Sequence, residues 1–272
     1  AFAGAAAAAE DAGTVMWNPA GMTYLPKGHN ISMAGTLLSR KIDFNDDGST
    51  GTDLPGPLGG FPLGSSEGGN AGGNSLVPAF YWAYAVNDTV SVGLGVSPTF
   101  GNVTEYSDNF IGRSAGHFAE IKQININPSI AWKINEKVSV GGGIKFAHNT
   151  THFKQGVPAS GLVPISTAPL ILVNFPANND LDVKGDDWAV GYNFGAMFQL
   201  APATRLGLSY RSELKFDLEG KQKFDTQVPG LLVNQDIKAK LKTPASASLA
   251  LSHMMNDKLE LLADVTWTDW SV

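Results

Sequence analysis

The chain contains no cysteine, which excludes a disulfide framework, a thiolate nucleophile and a zinc–thiolate site. Charge is scarce as well: 19 basic and 25 acidic residues make 16% of 272, where soluble domains carry about 25%. The formal balance of −6 offers no basic footprint for nucleic acid. No run approaches the roughly 18 consecutive apolar residues of a membrane helix, and mean hydropathy is −0.04. That absence leaves a membrane open, because a transmembrane β-barrel spreads its apolar residues over alternate positions. Chemistry-bearing motifs are missing too. His29, His117 and His253 sit beside no nucleophile elbow or triad, and there is no phosphate loop or EF-hand. His148 and His152 share a strand face but stand too far apart in an extended chain to chelate one ion. No enzyme activity, catalytic residue, cofactor or metal is expected.

What the chain has is glycine (31), proline (15) and 10% aromatics, arranged with period two. Val90, Val92, Leu94 and Val96 alternate with Ser91, Gly93, Gly95 and Ser97; Ile124, Ile126, Ile130, Trp132 and Ile134 with Asn125, Asn127, Ser129 and Lys133. Val138, Val140, Ile144 and Phe146 oppose Ser139, Gly141, Gly143 and Lys145; Val190, Tyr192, Phe194 and Phe198 oppose Gly191, Asn193, Gly195 and Gln199. In the run after Arg205, an apolar set Leu206, Leu208, Tyr210, Leu214 and Phe216 is expected to face lipid, with Arg205, Arg211, Glu213 and Lys215 inward. Such runs are longer than the about 5–6 residues of soluble strands and match the about 9–11 of a tilted membrane strand.

Nine strands are expected, at 29–42, 76–86, 89–101, 118–134, 137–153, 184–200, 204–218, 236–253 and 258–272. Short turns at Asn87–Asp88, Asn135–Glu136, Ala201–Ala203 and Asn256–Asp257 alternate with long loops at 43–75, 102–117, 154–183 and 219–235. Short turns on one rim and long loops on the other are the asymmetry of an outer-membrane barrel. Tyr81, Trp82, Tyr84, Trp132, Trp188, Tyr192, Trp267 and Trp270 suit interfacial girdles. The odd spacing of Trp267 and Trp270 puts one of them inward or at the rim. Ala1 follows no charged region or cleavage site, and the last residues fall inside a patterned segment, so a processed or partial chain is expected.

Residues 1–25, AFAGAAAAAEDAGTVMWNPAGMTYL, resemble the plug segment of the FadL family of outer-membrane transporters for long-chain fatty acids and other hydrophobic compounds. AEDAG followed by Asn18–Pro19–Ala20 carries the match. WAVGYNFG from Trp188, LSYRSE from Leu208 and WTDW at Trp267–Trp270 look like the same family. The resemblance implies an N-terminal hatch over 1–28 and, over 29–272, about nine strands of a fourteen-stranded transmembrane antiparallel β-barrel lacking the extreme N-terminus and the C-terminal strands. It implies a Gram-negative outer-membrane location, a hydrophobic small molecule, lipid and lipopolysaccharide as partners, and a monomer.

The implied function is passive uptake by capture on an extracellular groove, lumen binding and lateral exit through a kinked third strand. The loop Gly156–Asn179 is apolar where a watery loop would be polar, so Leu162, Val163, Ile165, Leu170, Ile171, Leu172 and Phe175 are the groove candidates, with a loop packed on its own small core as the alternative. Pro98, Phe100 and Gly101 match the kink by position, and Asn18, Pro19 and Ala20 are expected on the hatch against that opening. Lys145, His148 and Arg211 are candidate lumen contacts, against the alternative that lumen charges are solvated or mutually paired. A general aqueous porin and an extracellular β-sandwich binding module are the competing readings.

Overall fold

The computed structural model describes residues 4–49, 66–157, 160–163, 171–174, 179–227 and 232–271. It is all-β apart from short turns of helix near the N-terminus: α1 (Ala5–Ala8), α2 (Thr14–Trp17) and a 3₁₀ segment (Pro19–Tyr24). The strands are β1 (His29–Ser39), β2 (Asn74–Ala85), β3 (Val90–Glu105), β4 (Phe118–Asn135), β5 (Val138–Gly156), β6 (Ser160–Val163), β7 (Ile171–Asn174), β8 (Asp180–Ala201), β9 (Thr204–Arg211), β10 (Leu214–Phe224), β11 (Gln235–Thr243), β12 (Ser246–Asn256) and β13 (Leu259–Thr268). One antiparallel sheet runs β1-β2-β3-β4-β5-β8-β9-β12-β13, with β10 paired to β8 and β11, and β6 and β7 form a separate hairpin.

The tight turns sit where the sequence puts them, and three share one device. Asn87 Oδ1 accepts from Val90 N at 2.8 Å, Asn135 Oδ1 from Lys137 N at 2.8 Å, and Asn256 Oδ1 from Lys258 N at 2.9 Å. Each asparagine side chain folds back onto its own backbone and closes the turn. At that rim Lys27 pairs with Asp88, and this hydrogen-bonded charge holds the Asp88 carboxyl below its ordinary pKa.

The two faces of the sheet differ in chemistry. Outward stand Ile124, Ile130, Trp132, Ile144, Phe146, Trp188, Val190 and Phe194, all exposed. On β4 this band runs from Ile124 to Ile134; at about 3.3 Å per residue and a tilt of about 40° it is roughly 25 Å tall, the height of a barrel's lipid-facing belt. Inward stand Gln123, Asn125, Asn127, Ser139, Asn149 and Asn193, all buried. Polar inside and apolar outside is the reverse of a soluble sandwich, and the single continuous sheet removes that alternative. The N-terminal segment touches eight strands of the sheet, β2 to β5, β8, β9, β12 and β13. A segment this short reaches so many only if the sheet curls around it.

Two expected strands are each divided. The run 204–218 breaks at Ser212–Glu213 into β9 and β10, and 236–253 breaks at Pro244–Ala245 into β11 and β12. The first break inverts the faces: Arg211 points inward on β9, but on β10 Leu214, Phe216 and Leu218 are buried over Ala147 and Ala189. Leu214 and Phe216 therefore do not face lipid, and Glu213 and Lys215 are not lumen groups; they pair with each other outside at 2.7 Å. Extra backbone between the breaks shifts the period-two register by one, which moves every side chain to the other face. Tyr81 is a correction to the girdle. It packs inward on the cluster of Ala12, Val15 and Met22. Trp82 faces outward, stacked with Tyr84 at 3° between ring planes. Trp270 lies just past β13, its ring 6.5 Å from Phe100.

Candidate transport site: a wall fissure and the segment inside it

The β2–β3 ladder pairs Tyr84 with Val92, Trp82 with Leu94 and Phe80 with Val96, and there it stops. The physical cause is visible in the register. Val86 N–H donates to the Val90 carbonyl at 2.9 Å, which makes the even-numbered residues of both strands the bonding positions of this ladder. The next bonding pair would be Pro78 opposite Pro98, and neither has an N–H to give. Beyond it the strands part around a cavity of about 310 Å³, lined by Leu38, Leu76, Pro78, Pro98, Phe100 and Ile124 and reaching Ser97 and Gln123 on the inner side.

β3 itself bends at the same height. Its register with β4 slips between Pro98 and Phe100, so Thr99 is the extra residue of a bulge, and its hydroxyl accepts from Gln123 Nε2 at 2.7 Å. Pro98, Phe100 and Gly101 all line this cavity. Gly101 has no positive φ, and a Cβ there would meet only the Ile121 carbonyl, at 3.6 Å. The bend comes from the prolines and the bulge, and Gly101 contributes open space. Pro78 is the member that sequence reading missed.

The N-terminal segment lies on the inner wall. Asn18 is wholly buried; its Nδ2 lies within hydrogen-bond distance of the carbonyls of Ala6 (2.7 Å), Ala196 (3.1 Å) and Leu208 (3.2 Å), and its Oδ1 accepts from Ala20 N. Ala196 and Leu208 face each other across β8 and β9, so one amide ties the segment to both strands. The wall comes this close because it carries glycine there. A Cβ on Gly195 would overlap Asn18 Oδ1, and one on Gly207 would overlap the Ala6 carbonyl. Asn18–Pro19–Ala20 therefore docks on β5, β8 and β9, away from the fissure. The part of the segment nearest the fissure is α2: Val15, with Met22 of the 3₁₀ segment, lies over Gly93, and Met16 Sδ is 3.9 Å from the Ser97 hydroxyl.

The lumen cations are engaged by the protein itself. Arg211 donates to the Met16 carbonyl and stacks over Trp17 at 4.9 Å; Arg205 stacks over Tyr24 at 5.3 Å. Lys145, buried, donates to the Ser212 carbonyl at 3.0 Å, at the β9–β10 break. His148 is not in the lumen. It stands on the outer face, 4.8 Å from the Trp188 ring and 3.1 Å from Asp186. The same outward row places His152 against Asp182 at 3.2 Å. Of the groove candidates, Leu162 stands opposite Leu172 and Val163 opposite Ile171 in the β6–β7 hairpin; Ile165, Leu170 and Phe175 lie outside the described residues.

The model of the family described as outer membrane protein transport protein (OMPP1/FadL/TodX) matches residues 1–272. The chain belongs to this family. The long-chain fatty acid transport protein of Escherichia coli O6:H1 is 29% identical over 82% of this chain and 49% of its own length. A FadL homologue from Pseudomonas aeruginosa superposes with a TM-score of 0.73 at 24% identity, covering 99% of this chain and 66% of that one. The toluene transporter TbuX of Ralstonia pickettii superposes at 0.64 with 20% identity, over 95% and 67%. At these identities the two structures speak for the fold alone. The chain spans between 49% and 63% of the length of the curated relatives it matches. It is an outer-membrane β-barrel chain of the FadL/TodX family, and its outward apolar belt is the surface such a location requires.

Proposed function

We propose that the protein takes up hydrophobic small molecules passively across the outer membrane, long-chain fatty acids or hydrocarbons among them. The ligand is captured on a groove of the extracellular loop around β6 and β7, binds in the lumen, and leaves sideways through the β2–β3 fissure. The N-terminal segment is the hatch: with Asn18–Pro19–Ala20 as its anchor on the far wall, a shift of α2 opens the way past Met16 and Ser97. The surroundings are membrane lipid and lipopolysaccharide, and the protein works as a monomer. The observation that carries this reading is the apolar cavity in the wall at Pro78 and Pro98. Lipid-facing backbone is paired wherever it can be, so a gap framed by two prolines needs a use. The relatives' printed substrates, fatty acid and toluene, support the same class of cargo.

A general aqueous porin would need an open lumen; the contacts of the N-terminal segment with eight strands of the sheet favour a plugged one. The test is Gly101→Trp in the full-length protein. It places a bulky ring at the fissure mouth, where a Cβ meets little, and should stop uptake of labelled oleate or toluene while the barrel still shows its heat-dependent gel shift. Full uptake by that variant would remove the lateral exit. In a companion assay, Leu170, Ile171 and Leu172 all changed to Ser should lower uptake at low substrate concentration only; unchanged uptake there takes the loop out of the pathway.

A further inference from the structure

The inward side of β4 reads Gln123, Asn125, Asn127 and Ser129, and β5 sets Asn149 beside Gln123. Every one of these side chains is buried. Asn127 Nδ2 bonds the Ile144 carbonyl and Asn193 Oδ1, but much of the row is idle. Gln123 Oε1, Asn125 Oδ1, Asn127 Oδ1, Ser129 Oγ and Asn149 Nδ2 make no hydrogen bond among the described residues. Buried polar atoms are nearly always bonded, so five along one track call for a partner that passes or stays. Side-chain amides present a donor and an acceptor in either orientation. The row therefore suits an uncharged group that both gives and accepts a hydrogen bond.

Its position supplies the rest. The upper end opens on the fissure, where Gln123 and Ser97 form the inner side and Leu76, Pro78 and Phe100 the apolar side. Next to the row, Leu214, Phe216 and Leu218 form an apolar ledge over Ala147 and Ala189. The cations beside it are engaged elsewhere: Lys145 on the Ser212 carbonyl, Arg211 on the Met16 carbonyl and Trp17. A carboxylate would have to displace these bonds; a hydroxyl would not. We propose that the β4 row is a head-group track for amphiphiles with a neutral hydroxyl head, such as long-chain alcohols, whose chain leaves through the fissure. A purely apolar face would have served a hydrocarbon better.

This inference rests on the uptake reading above, and the experiment separates the two. Uptake of labelled hexadecanol, hexadecane and palmitate is measured in cells that carry the full-length protein and no other such channel. The variants are Asn125→Leu and, separately, Asn149→Val. Hexadecanol uptake should fall about three- to tenfold, the effect of losing one or two hydrogen bonds, with hexadecane uptake unchanged; Asn125→Ser, which keeps a hydroxyl, should retain most of the alcohol rate. A leucine variant that fails to reach the membrane leaves Asn149→Val and Asn125→Ser to decide. Native uptake of hexadecane without preference for the alcohol, native preference for palmitate over the alcohol, or variants that lose both substrates equally or neither, would overturn the track and leave the channel standing. Native protein that takes up none of the three would overturn both.

Discussion

At the scale of single residues, Asn18 concentrates the contact between the N-terminal segment and the wall. Its amide reaches strand carbonyls of β8 and β9 at once, in a spot where a wholly buried amide has no water to replace them. Asn18→Ala leaves those carbonyls with one partner fewer and should cost about 1–3 kcal/mol of attachment. Transport should slow more than binding does; equal loss of both would make the residue a structural anchor only. Gly207 tests the same contact from the other side. A side chain there runs into backbone, the Ala6 carbonyl, which cannot swing away. Gly207→Val should therefore lift the segment off the wall, seen as faster proteolysis near α1 and entry of sugars into proteoliposomes. Sugar exclusion identical to the native protein would show that the segment is held without this close approach.

At the scale of elements, the breaks govern as much as the strands. β10 buries Phe216 almost completely over Ala147 and Ala189, so Phe216→Ala should destabilise the barrel by about 3–5 kcal/mol, read as a lower urea midpoint in lipid. A cost near that of a surface change would mean the ledge is loosely packed. Strand existence and the tight turns were legible in the sequence, because lipid on one side and a polar interior on the other impose a clean period of two, and because asparagine closes three of the turns. The inversion at Ser212 was not legible: Leu214 and Phe216 keep the parity of Leu206 and Leu208, and only the backbone break shows that their face has changed. The fissure was half legible. Pro98 signals a lost donor by itself, but Pro78 matters only once the register sets the two prolines opposite each other. From the sequence, Arg211 and Lys145 are candidate lumen contacts, because nothing there says that their partners are the carbonyls of Met16 and Ser212. The inward glycines at 195 and 207 carried the missing signal, since a wall without side chains implies something packed against it.

At the scale of the molecule, a sheet that is apolar outward, polar inward and curled around its own N-terminal segment is suited to cargo that dislikes water and enters lipid from the side. Passage along the axis would meet the segment, while passage through the wall meets a gap that two prolines keep unpaired. The most direct measurement is uptake of labelled oleate and toluene by the full-length protein carrying Pro78→Val and Pro98→Val together. Both donors are then restored, the β2–β3 ladder can continue past Phe80 and Val96, and the fissure narrows. Uptake should drop at least about tenfold, the loss of one missing step worth about 1.4 kcal/mol or more, while the barrel stays folded and binds ligand. Native uptake rates in a folded double variant would contradict lateral exit through this wall.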